Sequence, residues 1–73
     1  MKLIPVQSRG IRAVGYEEDR KILSIQYKGE RIYEYLGVPP DDVIAMLSSS
    51  SIGRFVNKHI KPYYEYREVK KAA

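Results

Sequence analysis

The chain has 73 residues, a net charge of +4, no cysteine and a single histidine. That length holds one domain, which buries only roughly 60% of the surface its unfolded form exposes. The composition excludes disulfide staples, thiolate zinc sites and, with only His59, a histidine-rich metal centre. No apolar run approaches the ~20 residues that span a bilayer, and the N-terminus lacks the apolar core of a signal peptide. The expectation is a soluble cytoplasmic protein with no membrane partner, in keeping with the reducing compartment that absent cysteine fits.

In chain order, "LIPV" reads as a short edge strand, since Pro5 permits little more. Residues 10–38, "GIRAVGYEEDRKILSIQYKGERIYEYLGV", read as three strands joined by short turns. In the first, Ile11, Ala13 and Gly15 share one side. "EEDRK" is a polar turn. Leu23, Ile25 and Tyr27 then lie on one face, with Ser24 and Gln26 on the other.

Gly29 marks the second turn, and its length decides the register. A two-residue loop at Lys28-Gly29 pairs Ile25 with Ile32 and leaves Tyr33 and Tyr35 on the face of Ser24 and Gln26. An odd-length loop, with Gly29 left-handed in a bulge, gathers Leu23, Ile25, Tyr27, Tyr33 and Tyr35 on one face. The second arrangement gives one dominantly apolar face and is preferred. It makes Tyr33 and Tyr35 mainly core residues, with phenolic groups reaching the rim.

Val38-Pro39-Pro40 ends the sheet, because proline has no ladder donor and suits the first turn of a helix. Asp41 and Asp42 follow where the helix dipole favours negative charge. Val43, Ile44, Met46 and Leu47 form the expected buried stripe of a short helix. Ser48–Ser51 connect it to a second, with Ser50 or Ser51 as N-cap. Ile52, Phe55, Val56 and Ile60 recur at helical spacing, and Pro62 closes the segment. "YYEYREV" reads as a final strand or an extended tail, with Tyr64 and Tyr66 on one side. The expected fold is α+β: a three-stranded antiparallel meander, open to extension by N- and C-terminal strands, on two short consecutive helices. Residues 1–73 form one domain, with 70–73 as a flexible tail.

Charge is distributed unevenly along this plan. Residues 1–51 carry seven basic and seven acidic side chains. Residues 52–73 carry Arg54, Lys58, Lys61, Arg67, Lys70 and Lys71 against Glu65 and Glu68. Such asymmetry marks either a polyanion-binding face or a solubilising basic tail. "GRFVNKHIKPYYEYREVKK" also interleaves cations with rings, the ingredients that hold single-stranded nucleic acid. The alternative use of Tyr64 and Tyr66 is to cover the sheet edge. "SSIGR" has two readings as well. A helix start with Gly53 and Arg54 can hold a phosphate, or the serines simply cap the helix. Catalytic, cofactor and metal-binding residues are not expected. The carboxylates sit in turns and at a helix start, and His59 lies too far along its helix to serve Ser48–Ser51.

Three segments, "SRGIRAVGY", "LSIQYKGERIYEYLGVP" and "SIGRFVNKHI", together resemble the KTSC domain. That module has about this length and occurs alone in bacterial and phage-type small proteins and at the C-terminus of some lysyl-tRNA synthetases. The resemblance runs from Val6 to Val69. It is carried by Ser8, Gly15, Tyr16, Gly29, Tyr33, Tyr35, Val38, Pro39, Ser51, Gly53, Asn57 and Ile60, then by Tyr64 and Tyr66. It implies a small α+β domain with no known enzymatic activity, for which RNA binding has been suggested. Tyr63 and Glu65 stand where relatives often carry basic residues, which weakens the local positive field.

The functional expectation is a non-enzymatic module for RNA or another single strand. Arg54, Lys58, Lys61, Arg67 and Lys70 contact phosphates, and Tyr64 and Tyr66 offer stacking faces. The rival is a protein-interaction or self-associating module that docks a partner or a twin chain through an open sheet edge and exposed tyrosines.

Overall fold

Five strands form one antiparallel sheet in sequence order: β1 (Ile4–Pro5), β2 (Ile11–Glu17), β3 (Ile22–Tyr27), β4 (Ile32–Leu36) and β5 (Tyr66–Val69). The computed structural model describes residues 3–29 and 31–69. The expected tail, residues 70–73, and the expected phosphate contact Lys70 lie outside them. The α+β architecture agrees with the sequence pattern, but the sheet has five strands because both flanking segments join the meander. β1 is only two residues long, paired Ile4 to Val14 and Pro5 to Ala13. Proline allows no longer ladder there. The other flank, Tyr66–Val69, pairs along the whole outer edge of β4.

The β3–β4 hairpin takes the odd-length connection. The Tyr27 amide donates to the Arg31 carbonyl at 2.8 Å, and Gly29 between them has φ +87°. Leu23 therefore faces Tyr35 and Ile25 faces Tyr33, while Gln26 takes Ile32 as its partner. All four apolar partners share a face, as burial demands.

β2 departs from simple alternation. Its register against β3 shifts between Ile11 and Ala13, so Arg12 is an extra, exposed residue. This bulge turns Ile11 and Val14 to the same face although they are an odd number of residues apart. Ala13 and Gly15 pair with Gln26 and Ser24 on the opposite face, which corrects the expected Ile11–Ala13–Gly15 row.

α1 (Pro40–Ser48) starts at the proline pair. Pro39 is the N-cap, its carbonyl accepts from the Asp42 and Val43 amides, and Asp41 and Asp42 fill the acidic first turn. Val43 and Met46 are buried, but Ile44 and Leu47 of the expected stripe are largely exposed. One helix touching a sheet along a narrow seam buries one residue per turn, and a 100° step carries its neighbours out to the flank. Ser51, rather than Ser50, caps α2 (Ile52–Phe55), its hydroxyl accepting from the Arg54 amide at 3.3 Å. The helix continues into a π-helical turn (Val56–Ile60), closed by the Lys61 amide on the Val56 carbonyl at 2.8 Å.

The core lies between the sheet and these helices. Ile11, Val14, Leu23, Ile25 and Tyr35 meet Val38, Val43, Met46, Val56 and Ile60. Each such side chain contributes about 1.5–3 kcal/mol by leaving water.

Open space surrounds the Gly29 Cβ position, so any cost of a side chain there is conformational. Gly29→Val lowers unfolding free energy by about 1–2 kcal/mol in urea, because a β-branched residue resists positive φ. Unchanged stability contradicts the assigned turn.

Candidate nucleic-acid interface

Cross-strand pairing gathers four tyrosines on the helix-bearing face. Tyr33 and Tyr35 are two residues apart on β4, Tyr66 lies opposite Tyr35, and Tyr27 ends β3 beside them. Tyr35 is the floor at 1% exposure, and its hydroxyl shares a 2.9 Å hydrogen bond with that of Tyr27. Tyr33 stands edge-on to Tyr27 at 5.4 Å and to Tyr66 at 5.5 Å between centroids. Tyr66 leans on Tyr35 at 5.7 Å yet keeps 59% of its surface in solvent. Just after the π-helical turn, Lys61 sets its Nζ 5.5 Å from the Tyr27 centroid, a cation–π distance. Tyr33, Tyr35, Tyr66 and Lys61 line a depression of about 170 Å³.

Burial keeps the Tyr27 and Tyr35 phenols protonated. Burial pushes Tyr27 far above the usual tyrosine range, and its hydrogen bond to Tyr35 adds to the effect. Burial also raises Tyr35, against the opposing pull of the Tyr27 bond. Tyr16 is raised by burial and then by Glu18, and its hydroxyl donates to the Val38 carbonyl at 2.6 Å. That bond pins the end of the sheet to the segment entering α1.

The residues expected to bind divide into groups. Tyr66 and Lys61 meet at the tyrosine depression. Arg54 and Lys58 stand on the helix surface, where Ser49–Ser51, Phe55 and His59 complete a recess of about 210 Å³. The structure does not bring Tyr64 and Arg67 into either group. Tyr64 is half-buried against the core and donates its hydroxyl to the Asp42 carboxylate, clasping the chain before β5 to α1. Arg67 points to the opposite sheet face, where its Nε holds Glu34 Oε1 at 2.7 Å.

The positions behind the family resemblance also divide. Tyr16, Tyr33, Tyr35, Val38 and Ile60 pack in or against the core, Pro39 starts α1, Gly15 sits in β2 and Gly29 turns the hairpin. Ser8, Ser51, Gly53 and Asn57 instead line one polar cleft of about 510 Å³ together with Arg9 and Arg54. Sequence reasoning placed Tyr27 on the face of Tyr33 and Tyr35, as observed, but did not include it among the contact residues. It missed Arg9 for want of any local signal. Among the described residues no three His, Asp or Glu side chains converge as metal ligands, and no helix is long and apolar enough to cross a membrane.

The sequence profile of the KTSC domain matches residues 7–66. An uncharacterised protein of Stutzerimonas stutzeri is 37% identical over 67 residues, covering 90% of this chain and 94% of its own. A protein of Tsukamurella paurometabola is 40% identical over 60 residues, covering 82% and 90% respectively. The crystal structure of a KTSC domain protein from Yersinia pestis superposes with a TM-score of 0.90 at 35% identity. It covers 94% of this chain and 97% of that one.

The clasp between Tyr64 and Asp42 is testable by pH. The hydrogen bond to Asp42, then burial, then the Asp42 charge push Tyr64 up to about 12, above its unfolded value near 10. A raised phenol stabilises the fold fully below pH about 10 and loses that contribution as pH climbs through about 12. Tyr64→Phe lowers stability at pH 7 by about 2 kcal/mol, the range for hydrogen bonds to charged groups. Its stability in chemical denaturation also falls less steeply than the parent's between those pH values.

Proposed function

The chain belongs to the KTSC domain family, and we propose that it is a non-enzymatic module that binds single-stranded nucleic acid, RNA first. The observation that carries the reading is the open ring of Tyr66, fixed beside Tyr33 and Tyr35 above a depression shared with Lys61. A base needs a ring face that is exposed yet held still. Tyr66 has both properties through its strand pairing and two ring contacts. Each such stack contributes about 1–3 kcal/mol and needs an unpaired base, which favours a single strand over a duplex. Lys61 supplies the phosphate charge next to the rings, and Lys58 and Arg54 carry it onward along the helix. Arg67 and Tyr64 are left out of the contact set because each already has a partner on a different surface. The attachment of KTSC domains to some lysyl-tRNA synthetases favours RNA.

Anisotropy titrations of a labelled single-stranded RNA test this reading. Three phosphate contacts give a slope of log affinity against log salt of about −2. Tyr66→Ala weakens binding roughly 5- to 150-fold, the equivalent of one lost stack, while Arg67→Gln stays within about twofold. A flat salt response, with Tyr66→Ala binding like the parent, overturns the proposal.

A second reading, a protein-interaction or self-associating module, draws support from a separate surface. Ile4, Tyr16, Val43 and Leu47 help line a groove of about 590 Å³ between the β1 edge and α1, with Ile44 exposed nearby on α1. β1 covers β2 at Ala13 and Val14 and the Val6 amide bonds the Arg12 carbonyl at 3.1 Å, so among the described residues no strand pairs with the outer edge of β2 from Gly15 to Glu17. On this reading sedimentation velocity gives a coefficient that rises with concentration, and Leu47→Glu abolishes the rise. A concentration-independent monomer removes self-association.

A further inference from the structure

The polar cleft is built from two segments forty residues apart in sequence. Gln7–Gly10, between β1 and β2, forms one wall, and Ser50–Arg54 with Asn57 forms the other. Its lining includes two arginines and no carboxylate. The ion pairs among described residues use Arg20 and Arg67, so the guanidiniums of Arg9 and Arg54 have no acidic partner there. The Ser8 hydroxyl and the Asn57 amide likewise make no hydrogen bond to other described residues. The Ser51 hydroxyl already caps α2, and a four-residue helix has little dipole to offer. Whatever the cleft attracts, it attracts with side chains.

Gly53 supplies an independent observation. Glycine in a helix interior is less favourable than alanine by up to about 1 kcal/mol, and by less in a first turn, where Gly53 lies. Two structural needs usually explain its presence, a left-handed backbone or a crowded Cβ position, and neither applies. Its φ is not in the left-handed region, and a Cβ there meets only the Ser8 Oγ at 3.5 Å, an ordinary contact. What the missing methyl leaves is room in the cleft directly over the Ser8 hydroxyl.

We infer that this cleft is a phosphate-binding site, distinct from the tyrosine depression, with which it shares no residue. A tetrahedral oxyanion with several acceptor oxygens matches donors arriving from two walls. Guanidinium groups match phosphate geometry better than they match a single-point acceptor. The anion sits over Ser8 and Gly53, held by Arg9 on one side and by Arg54 and Asn57 on the other. The cleft is open to solvent, which leaves room for a phosphate group carried on a larger body: a free nucleotide or sugar phosphate, or the terminal phosphate of a strand.

The test separates fold from function at one atom. Amide spectra are recorded while inorganic phosphate, adenosine monophosphate, and 5′-phosphorylated or 5′-hydroxyl oligonucleotides are titrated in. The expected shifts fall in residues 7–10 and 50–57. Gly53→Ala melts at the same or a higher temperature yet binds phosphate at least tenfold more weakly. Arg54→Gln weakens it to a similar degree, and Arg67→Gln leaves it within twofold. Tighter binding of the 5′-phosphorylated strand, lost in Gly53→Ala, identifies a strand end as the source. Phosphate or mononucleotide binding without that difference identifies a free small molecule. Absence of shifts in those two segments, or Gly53→Ala and Arg54→Gln titrating like the parent, overturns the site. Arg54 serves both contact sets, so the two proposals are told apart by Gly53→Ala, which leaves the Tyr66 stack intact, and by Tyr66→Ala, which leaves phosphate binding in the cleft unchanged.

Discussion

The left-handed backbone at Gly29 fixes the phase of β4 against β3, and most of the molecule's chemistry follows from that phase. One residue of slip exchanges the two faces of β4. In the observed register Tyr33 and Tyr35 join Leu23 and Ile25 on the helix-bearing side, while Glu34 falls on the other side. β5 then pairs so that Tyr66 meets Tyr35 and Arg67 meets Glu34. Rings collect on one face of the sheet and an ion pair on the other. A ring cluster beside Lys61 is thus a consequence of backbone geometry thirty residues upstream.

A small domain has few core positions, and this one uses tyrosine in several of them. Tyrosine offers a large apolar area together with a hydroxyl that can reach a partner. Tyr35 and Tyr27 bond to each other at the base of the cluster. Tyr16 ties the sheet to Val38, and Tyr64 ties the approach to β5 to α1 through Asp42. Tyr33 forms the rim, and Tyr66 carries its ring into solvent. The question of whether the tyrosines are core or contact surface therefore has a different answer for each. The same residue type builds a rigid base and presents a face that the base holds in place.

Much of this was legible in the sequence where the signal was local. The odd hairpin loop, the Pro39-Pro40 helix start, a serine cap at Ser50 or Ser51 and the stop at Pro62 each rest on the chemistry of one or two residues. The opposition of Arg67 to Tyr66 was available too, since neighbours on a strand face opposite ways once "YREV" is read as one. Other features depended on distant partners. The bulge at Arg12 reverses Ala13 and Gly15, and no residue there announces it. Ile44 and Leu47 look like core because an apolar stripe does not state how wide its seam is. Tyr64 finds Asp42 twenty-two positions away, and Ser8 meets Gly53 across the cleft from another part of the chain. Long-range closure of this kind is set by packing rather than by local preference.

The claim on which the account turns is that Tyr33, Tyr66 and Lys61 form one accessible, pre-positioned contact surface. It is tested most directly by following side-chain signals during titration with a short mixed-sequence RNA. The account predicts that the ring protons of Tyr33 and Tyr66 shift together with the Lys61 side chain, while the Arg67 Nε–H across the sheet stays still. Movement at Arg67 and Glu34 with silent tyrosine rings contradicts it.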